Sequence, residues 1–299
     1  MPKSYTVADD YHDLRLDKWI KQNVINLPHS LIEKIIRQNK IKVNKKKTKS
    51  SYRVQSGDLI EVYDILKFKP INKEKKIKYI PKNKELGKYD DYVIENNENF
   101  IVLNKPSGIP VQSGTKSFKN ITDIIKNTKY FENTKPFIVH RIDKETSGIF
   151  IIAKNRKFAQ LFTSLFRIRK IHKTYLALVY GKVNNSIKSM RDELSYYEGN
   201  KKISQKAISN LKILKSNEGF SFVELNPITG RKHQLRKQLL KIGNPIIGDD
   251  KYFLNDRKRI KTKSLMLHAY KIKFMINNVQ YNFKAKYNES FKNFLDKNF

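Results

Sequence analysis

Residues 137–154 constrain the fold more than any other part of the chain. Phe137-Ile138-Val139 is apolar, His140 to Gly148 is a polar stretch holding His, Arg, Asp, Thr and Ser, and Ile149-Phe150-Ile151-Ile152-Ala153 is apolar again before Lys154. Five apolar residues closed by glycine and lysine have the length of a buried strand and fall far short of the roughly 20 needed to span a bilayer. A strand therefore enters a short polar loop and a second strand leaves it. A rigid sheet presents a reactive carboxylate, here Asp143, in this way. The alternative is an ordinary polar turn in which Asp143 caps its own loop.

On either side of this segment the texture differs. Near the N-terminus, Leu16, Trp19, Ile20 and Val24 recur at helical spacing, and Leu31, Ile32, Ile35 and Ile36 predict a second helix. Ser30 and Glu33 have the spacing of a capping box, so that helix is expected to start at Ser30. Ile41-Lys42-Val43 and Leu59-Ile60-Glu61-Val62 read as short strands, with Gly57-Asp58 as a turn. Residues 65–90 are Lys-rich, with Pro70, Pro81 and Gly87 and no clear period, and read as a linker. From Asn99 the candidate strands are Phe100–Leu103, Ile138–Val139, Ile149–Ala153, Tyr175–Tyr180 and Phe220–Leu225. One amphipathic helix carries Phe158, Leu161, Phe162, Leu165 and Phe166; another carries Leu235, Leu239 and Leu240 and stops at Gly243. The expected organisation is a small α+β domain over residues 1–64, a linker over 65–90, and an α+β domain over 91–299 with a mixed, mostly antiparallel sheet.

Composition narrows the partner. The 299 residues include 62 Lys and Arg against 28 Asp and Glu, a net charge of +34. Such a surplus repels itself unless a polyanion supplies counter-charge, and nucleic acid is the expected one, ahead of an anionic membrane. Fifty of the basic residues are Lys, part of which reflects a Lys, Asn and Ile bias of the kind AT-rich coding produces. Six Lys fall within residues 40–49, seven basic residues and no acid within Lys154–Lys173, and five within Arg257–Lys263. Phosphate contacts from such runs position nucleic acid and weaken with salt. The absence of cysteine excludes disulfide scaffolds, thiolate metal sites and cysteine nucleophiles. His140, His233 and His268 lack His-x-x-x-His spacing, so no metal site is expected. Gly108 to Ser117 lacks the Gly-Lys-Thr/Ser triplet of a phosphate loop. Met1 to Asp13 holds three acids and no apolar stretch, unlike a signal or transit peptide, and a soluble cytoplasmic protein is expected.

The run His140-Arg141-Ile142-Asp143-Lys144-Glu145-Thr146-Ser147-Gly148 resembles the catalytic signature of the RluA-type pseudouridine synthase family. Five further segments resemble that family in order: Asn104-Lys105-Pro106-Ser107-Gly108, Lys173-Thr174-Tyr175-Leu176-Ala177, Thr229 to Arg236, Gly243 to Asp249, and Leu267-His268-Ala269. Leu14 to Val62 resembles the small RNA-binding module named after ribosomal protein S4. Together the two resemblances point to the branch acting on large-subunit ribosomal RNA, its RluC-like subgroup. Ile142 stands in place of the usual Leu, a swap that packing tolerates. Gln112 and Gln238 stand where many members carry His, which puts RNA contacts or packing in question rather than activity.

The resemblance implies an enzyme that breaks the glycosidic bond of a uridine, turns the uracil and rejoins it through carbon 5, with no metal and no cofactor. Asp143 matches the catalytic aspartate, attacking either ribose or uracil. A guanidinium beside that carboxylate keeps it ionised and oriented, a role that fits Arg236, with Arg231 as the alternative. Tyr175 is expected to point into the site, where it stacks on the uracil or takes the proton from carbon 5. Arg141 either wedges into the hole left by an extruded base or holds a phosphate. Further RNA contacts are expected from His140, Arg231, Lys232, Lys105 and Lys173 around the loop, and from Lys45, Lys46 and Lys47 in the small module. The expected partner is large-subunit ribosomal RNA, free or within an assembling particle, and the expected state is a monomer with no membrane partner. Two other classes compete. A non-catalytic RNA-binding or ribosome-assembly protein would not need a carboxylate beside RNA phosphates. A glycosidase would need a second carboxylate, and only Glu145 is close by in sequence.

Overall fold

The chain divides into two units, Met1–Lys76 and Ile77–Phe299. In the computed structural model the described residues are 2–64, 79, 81, 83–113, 119–132, 134–198, 201–254, 259–260 and 262–299. Most of the stretch expected as a linker, and Arg257, Lys258 and Lys261 of the last basic run, lie outside them.

In the first unit, β1 (Lys3–Thr6) and β2 (Leu14–Arg15) precede α1 (Leu16–Asn23) and α2 (His29–Arg37); β3 (Ile41–Val43), β4 (Lys46–Lys47), β5 (Arg53–Val54) and β6 (Leu59–Val62) follow. The sheet order is β1-β6-β3-β4, with β2 and β5 paired separately. Leu16, Trp19 and Ile20 of α1 and Ile32, Ile35 and Ile36 of α2 are buried together against Ile41, Val43, Ile60 and Val62. The capping box does not form. The helix starts one residue early, at His29, and its N-cap Pro28 has no side-chain acceptor. Glu33 instead accepts a hydrogen bond from Ser50 Oγ at 3.2 Å, and His29 Nε2 meets the buried Asp17 carboxylate at 3.0 Å. With Ser30 inside the first turn, its side chain is no longer placed to cap it.

The second unit starts with α3 (Asn83–Asp90), which corrects the linker reading over its last eight residues. Its Tyr89 is buried against the core, a tertiary contact that no periodicity of this segment announces. Then come β7 (Val93–Asn96), β8 (Phe100–Lys105), α4 (Ile121–Lys126), β9 (Phe137–Ile138), β10 (Ser147–Ala153), α5 (Arg156–Arg167), β11 (His172–Tyr180), β12 (Ser189–Glu198), β13 (Lys201–Ser216), β14 (Phe220–Pro227), α6 (Gln234–Lys241), β15 (Leu267–Ile276), β16 (Val279–Lys284) and α7 (Glu289–Asn298). One sheet runs β12-β13-β14-β11-β15-β10-β8-β7, with β16 added to β15 and β9 to β10. Among the described residues only β10 and β15 pair in parallel, so the fold is α+β with a mixed, mostly antiparallel sheet.

The centre of this sheet is buried on both faces, and the strand period of two divides its side chains. Phe100 and Val102 of β8, with Ile149 and Ile151 of β10, pack toward Phe158 and Phe162 of α5. Ile101 and Leu103, with Phe150 and Ile152, pack on the other face toward Ile121, Ile124 and Ile125 of α4. Asn155 caps α5 by accepting the Phe158 N–H at 2.9 Å. Beyond β11, Leu235 and Leu239 of α6 join Leu176, Leu178, Val223 and Leu225 in a further cluster. Gln238 fastens the same helix to the sheet: its Oε1 accepts from Ser209 Oγ at 2.7 Å and its Nε2 donates to Asp192 at 3.0 Å. That residue is a buried packing hub, which answers the question its departure from the family raised. Among the described residues, no helix is long and apolar enough to cross a membrane.

The strand that leaves the polar loop is seated through Gly148. Its φ of +105° suits glycine, and a Cβ there would overlap the Ala269 carbonyl oxygen and lie 2.7 Å from the Ala269 nitrogen. The parallel register pairs these two residues, so neither backbone can yield. Gly148→Ala is expected to destabilise the second unit by about 3 kcal/mol or more, the sum of a positive-φ penalty and a backbone clash; denaturant titration against the wild type measures it.

Candidate active site

Residues 139–146 connect β9 to β10 and are held down from beneath. The Asp143 carbonyl accepts the Thr146 N–H at 3.2 Å, closing a turn. The Lys144 carbonyl accepts the Gly108 N–H at 2.9 Å, and the Glu145 carbonyl accepts Ser107 Oγ at 2.5 Å. Lys105 runs under the loop with no exposed surface, and its Nζ donates to the carbonyls of Pro106, Ile109 and Lys144 at 2.8, 2.9 and 3.1 Å. Three acceptors for three N–H bonds match an ammonium. Burial pulls its pKa down to about 7, against the opposing charges of Glu145 and Asp143. With its backbone fixed, Asp143 presents its side chain to a cavity of roughly 620 Å³.

That carboxylate, 28% exposed, is bracketed by two nitrogens on α6 and its N-cap. His233 Nε2 lies 3.8 Å from Oδ1, and Arg236 Nη1 lies 3.8 Å from Oδ2. Each is in turn held by the segment that follows Gly248. Arg236 is buried and donates Nε and Nη2 to the two oxygens of Asp249 at 2.6 and 2.7 Å, a bidentate fork, while its guanidinium lies 5.0 Å from the centre of the Tyr252 ring. Asp249 Oδ1 also accepts the N–H groups of Lys251 and Tyr252, both at 2.9 Å. The Tyr252 hydroxyl meets His233 Nδ1 at 2.8 Å. His233 adopts the left-handed conformation, φ 55° and ψ 30°, at the entrance to α6. Burial pushes its imidazole below the ordinary value despite the Asp143 charge.

Tyr175 lines the same cavity from β11. The ladder to β15 slips here, Thr174 pairing with Lys271 and Tyr175 with Ala269. A bulge of this kind re-aims the neighbouring side chain. Burial, reinforced by the Asp143 charge, raises the phenol far above its usual range and keeps it neutral. Arg141, Lys173 and Arg231 also line the cavity, Arg231 with its Nε donating to the Lys206 carbonyl at 3.1 Å. The loop thus places one carboxylate among cations, in a cavity that a half-buried phenol also lines.

The sequence model described as RNA pseudouridylate synthase matches residues 99–241, and that of the S4 domain matches residues 14–60. Ribosomal large subunit pseudouridine synthase C of Rickettsia conorii is 36% identical over 266 residues, covering 85% of this chain and 87% of its own length. The chain belongs to the RNA pseudouridylate synthase family. The synthase is also 30% identical over 286 residues to ribosomal large subunit pseudouridine synthase C of Vibrio parahaemolyticus, covering 90% of this chain and 87% of the relative. Its fold matches human RNA pseudouridylate synthase domain containing 4 with a TM-score of 0.61 at 25% identity, over 71% of this chain and 94% of the human one. It is accordingly an enzyme of the isomerase class.

Several residues expected at the site of the synthase sit otherwise. Lys105 is wholly enclosed beneath the loop and has no exposed surface to offer a phosphate. His140 also turns inward. Its Nε2 accepts the Ile151 N–H at 2.8 Å and its ring stacks on Phe166, 4.8 Å between centres. Burial, then the nearby Lys173 charge, pushes its pKa to about 3, so it offers no cation to a phosphate. Arg236 has a closer partner than Asp143, because Asp249 takes two of its nitrogens. Lys232 is exposed and does not line the cavity, and Lys45, Lys46 and Lys47 are exposed in the first unit. Glu145 is 45% exposed and pairs with Lys144 at 3.5 Å, outside the cavity. His268 has its two ring nitrogens at Ser147 Oγ (2.9 Å) and the Ala285 carbonyl (3.1 Å), which makes it a structural residue. Sequence reasoning missed His233, Asp249 and Tyr252. The available signal was Asp249 itself, an acid directly after Ile246-Ile247-Gly248 that needed a cation once buried.

The enclosed Lys105 makes a signed prediction. Its folded-state pKa lies near 7, below the ordinary 10.5. The burial penalty is therefore fully present below about pH 7 and relieved as pH rises toward 10.5. Between pH 7 and pH 9 the stability of the wild type relative to Lys105→Met is expected to rise by up to about 3 kcal/mol. Denaturant titrations of both proteins at the two pH values test this.

Proposed function

We propose that the chain isomerises specific uridines to pseudouridine in large-subunit ribosomal RNA, with Asp143 as the catalytic carboxylate. The observation that carries this reading is the placement of Asp143: fixed by its backbone, partly exposed in a cavity, and faced by Arg236 Nη1 and His233 Nε2 at equal distance. The relatives named for the large ribosomal subunit support the substrate, as do the S4 domain and the net charge of +34.

In this reading a uridine leaves its stack and enters the cavity, and the Asp143 carboxylate attacks it or the sugar as the N1 glycosidic bond breaks. The uracil turns, carbon 5 bonds to the ribose, the bond to Asp143 breaks in turn and restores the carboxylate, the proton on carbon 5 departs, and N1 gains one. The net change lies within one nucleotide and no electron is transferred, so the reading calls for no cofactor. Arg236, fixed by Asp249, holds positive charge at the carboxylate oxygen through the cycle. The raised pKa of Tyr175 favours a neutral ring that stacks on the uracil over a phenolate that removes its proton. Arg141, exposed at the mouth, fills the space of the extruded base, and Lys173 and Arg231 hold phosphates. Lys45, Lys46 and Lys47 add phosphate contacts from the S4 domain. The reading takes the enzyme to act as a monomer in the cytoplasm.

Tritium release from ribosomal RNA labelled at carbon 5 of uridine tests the reading. Wild type is expected to release tritium and Asp143→Asn to release none while keeping its affinity for RNA; full turnover by Asp143→Asn would refute the assignment. No release by either, with salt-sensitive RNA binding intact, would favour a binding protein on the same fold. Arg236→Ala is expected to lower kcat by about 100-fold or more, the scale of removing one preorganised charged donor. An unchanged kcat would move that role to Arg231.

A further inference from the structure

The pairing of His233 with Tyr252 has no part in the roles assigned above, yet it fixes a group aimed at Asp143. His233 Nδ1 lies 2.8 Å from the Tyr252 hydroxyl, and Nε2 lies 3.8 Å from Asp143 Oδ1. The two ends of the imidazole agree on one protonation pattern. A carboxylate only accepts, so the nitrogen facing it must carry hydrogen; a phenol can donate, so the nitrogen facing it can be bare. Tyr252 O–H donating to Nδ1 leaves Nε2–H pointing at Asp143. Burial, together with the charges of Arg236, Lys232 and Lys251, keeps the ring neutral against the pull of Asp143. The choice of tautomer is thus a real one, and Tyr252 makes it.

We propose that His233 is a positioning residue, set by Tyr252 in its Nε2–H tautomer, that hydrogen-bonds Asp143 Oδ1 when a uridine fills the cavity and so leaves Oδ2, beside Arg236, as the reacting oxygen. The inference rests on the functional reading above. At 3.8 Å the contact is open in the resting enzyme, and a shift of under 1 Å closes it, as hydrogen bonds at catalytic groups commonly tighten around a bound substrate. Two features show that the site is built for this. His233 occupies the left-handed region, an uncommon conformation for a residue other than glycine that must be held by its surroundings. And both brackets of Asp143 return to the same short turn, Arg236 through the Asp249 carboxylate and His233 through Tyr252, whose N–H that carboxylate also holds. One turn therefore sets the donor at each carboxylate oxygen.

Two measurements on the full chain decide it. In ¹⁵N spectra of histidine-labelled resting enzyme, with the His233 signals assigned by their loss in His233→Gln, Nε2 is expected to be protonated and Nδ1 bare. Tyr252→Phe is expected to give a mixture of both tautomers. In single-turnover tritium release, His233→Ala is expected to lower the rate about 10- to 100-fold, with RNA affinity changed less than about threefold. His233→Gln, whose amide nitrogen reaches the Nε2 position, should stay within about fivefold of wild type, whereas His233→Asn, whose amide reaches only the Nδ1 position, should behave like His233→Ala. Equal losses in all three variants would mean a purely structural residue and overturn the inference, as would an undiminished rate in His233→Ala. An active wild type whose His233 carries its hydrogen on Nδ1 would overturn the inference and leave the functional reading intact. An inactive wild type with the Nε2–H form would overturn the functional reading and, with it, the role in turnover, while the tautomer assignment stood.

Discussion

The buried fork between Arg236 and Asp249 is the contact on which the site depends. Removing a guanidinium and a carboxylate from water is costly, and the fork offsets that cost only through two short, aligned hydrogen bonds. Its geometry fixes every other direction. With Nε and Nη2 engaged, only Nη1 is left to face Asp143; with Asp249 also accepting two backbone N–H groups, the turn carrying Tyr252 cannot rotate away from His233. A charge pair that is weak support for overall stability is in this way strong support for orientation.

The scaffold beneath has a matching division of labour. Strands β8 and β10 are apolar on both faces, clamped between α5 and α4, and tolerate little displacement. The loop between β9 and β10 carries the polar chemistry but owes its shape to carbonyl groups held from the Lys105–Gly108 segment rather than to its own side chains. Asp143 is consequently a partly exposed side chain on a backbone held from below. That combination suits a carboxylate that must meet a ligand it does not touch at rest.

Much of this was legible in the residues themselves. The continuous apolar runs Phe100–Leu103 and Ile149–Ala153 and the helical faces of α5 and α6 announced their elements, because burial dictates the pattern there. The capping box at Ser30 and Glu33 was misread because local spacing says nothing of Asp17 and Ser50, which draw His29 and Glu33 elsewhere. The residues around Asp143 came from a family resemblance, which found the loop, Tyr175 and Arg236 together. It did not separate a lysine that meets RNA from one that meets carbonyls. Lys105 and His140 look like surface ligands in a sequence, and only depth in the fold shows otherwise. Asp249 and Tyr252 escaped because their meaning lies in partners 13 and 19 residues away across a turn.

The enclosed ammonium of Lys105 also bears on how this site comes into being. Its three acceptors belong to two stretches of chain, one beside it and one 39 residues later. Until both are in place the charge has no shelter in an apolar interior, and water holds it better. The loop that carries Asp143 therefore cannot settle ahead of the sheet beneath it, and it sets only when β8 and β10 have zipped together around the lysine. Assembly order is written into a single side chain: a molecule whose central strands are unpaired has no formed cavity, so a nascent or partly folded copy cannot present a competent site to RNA.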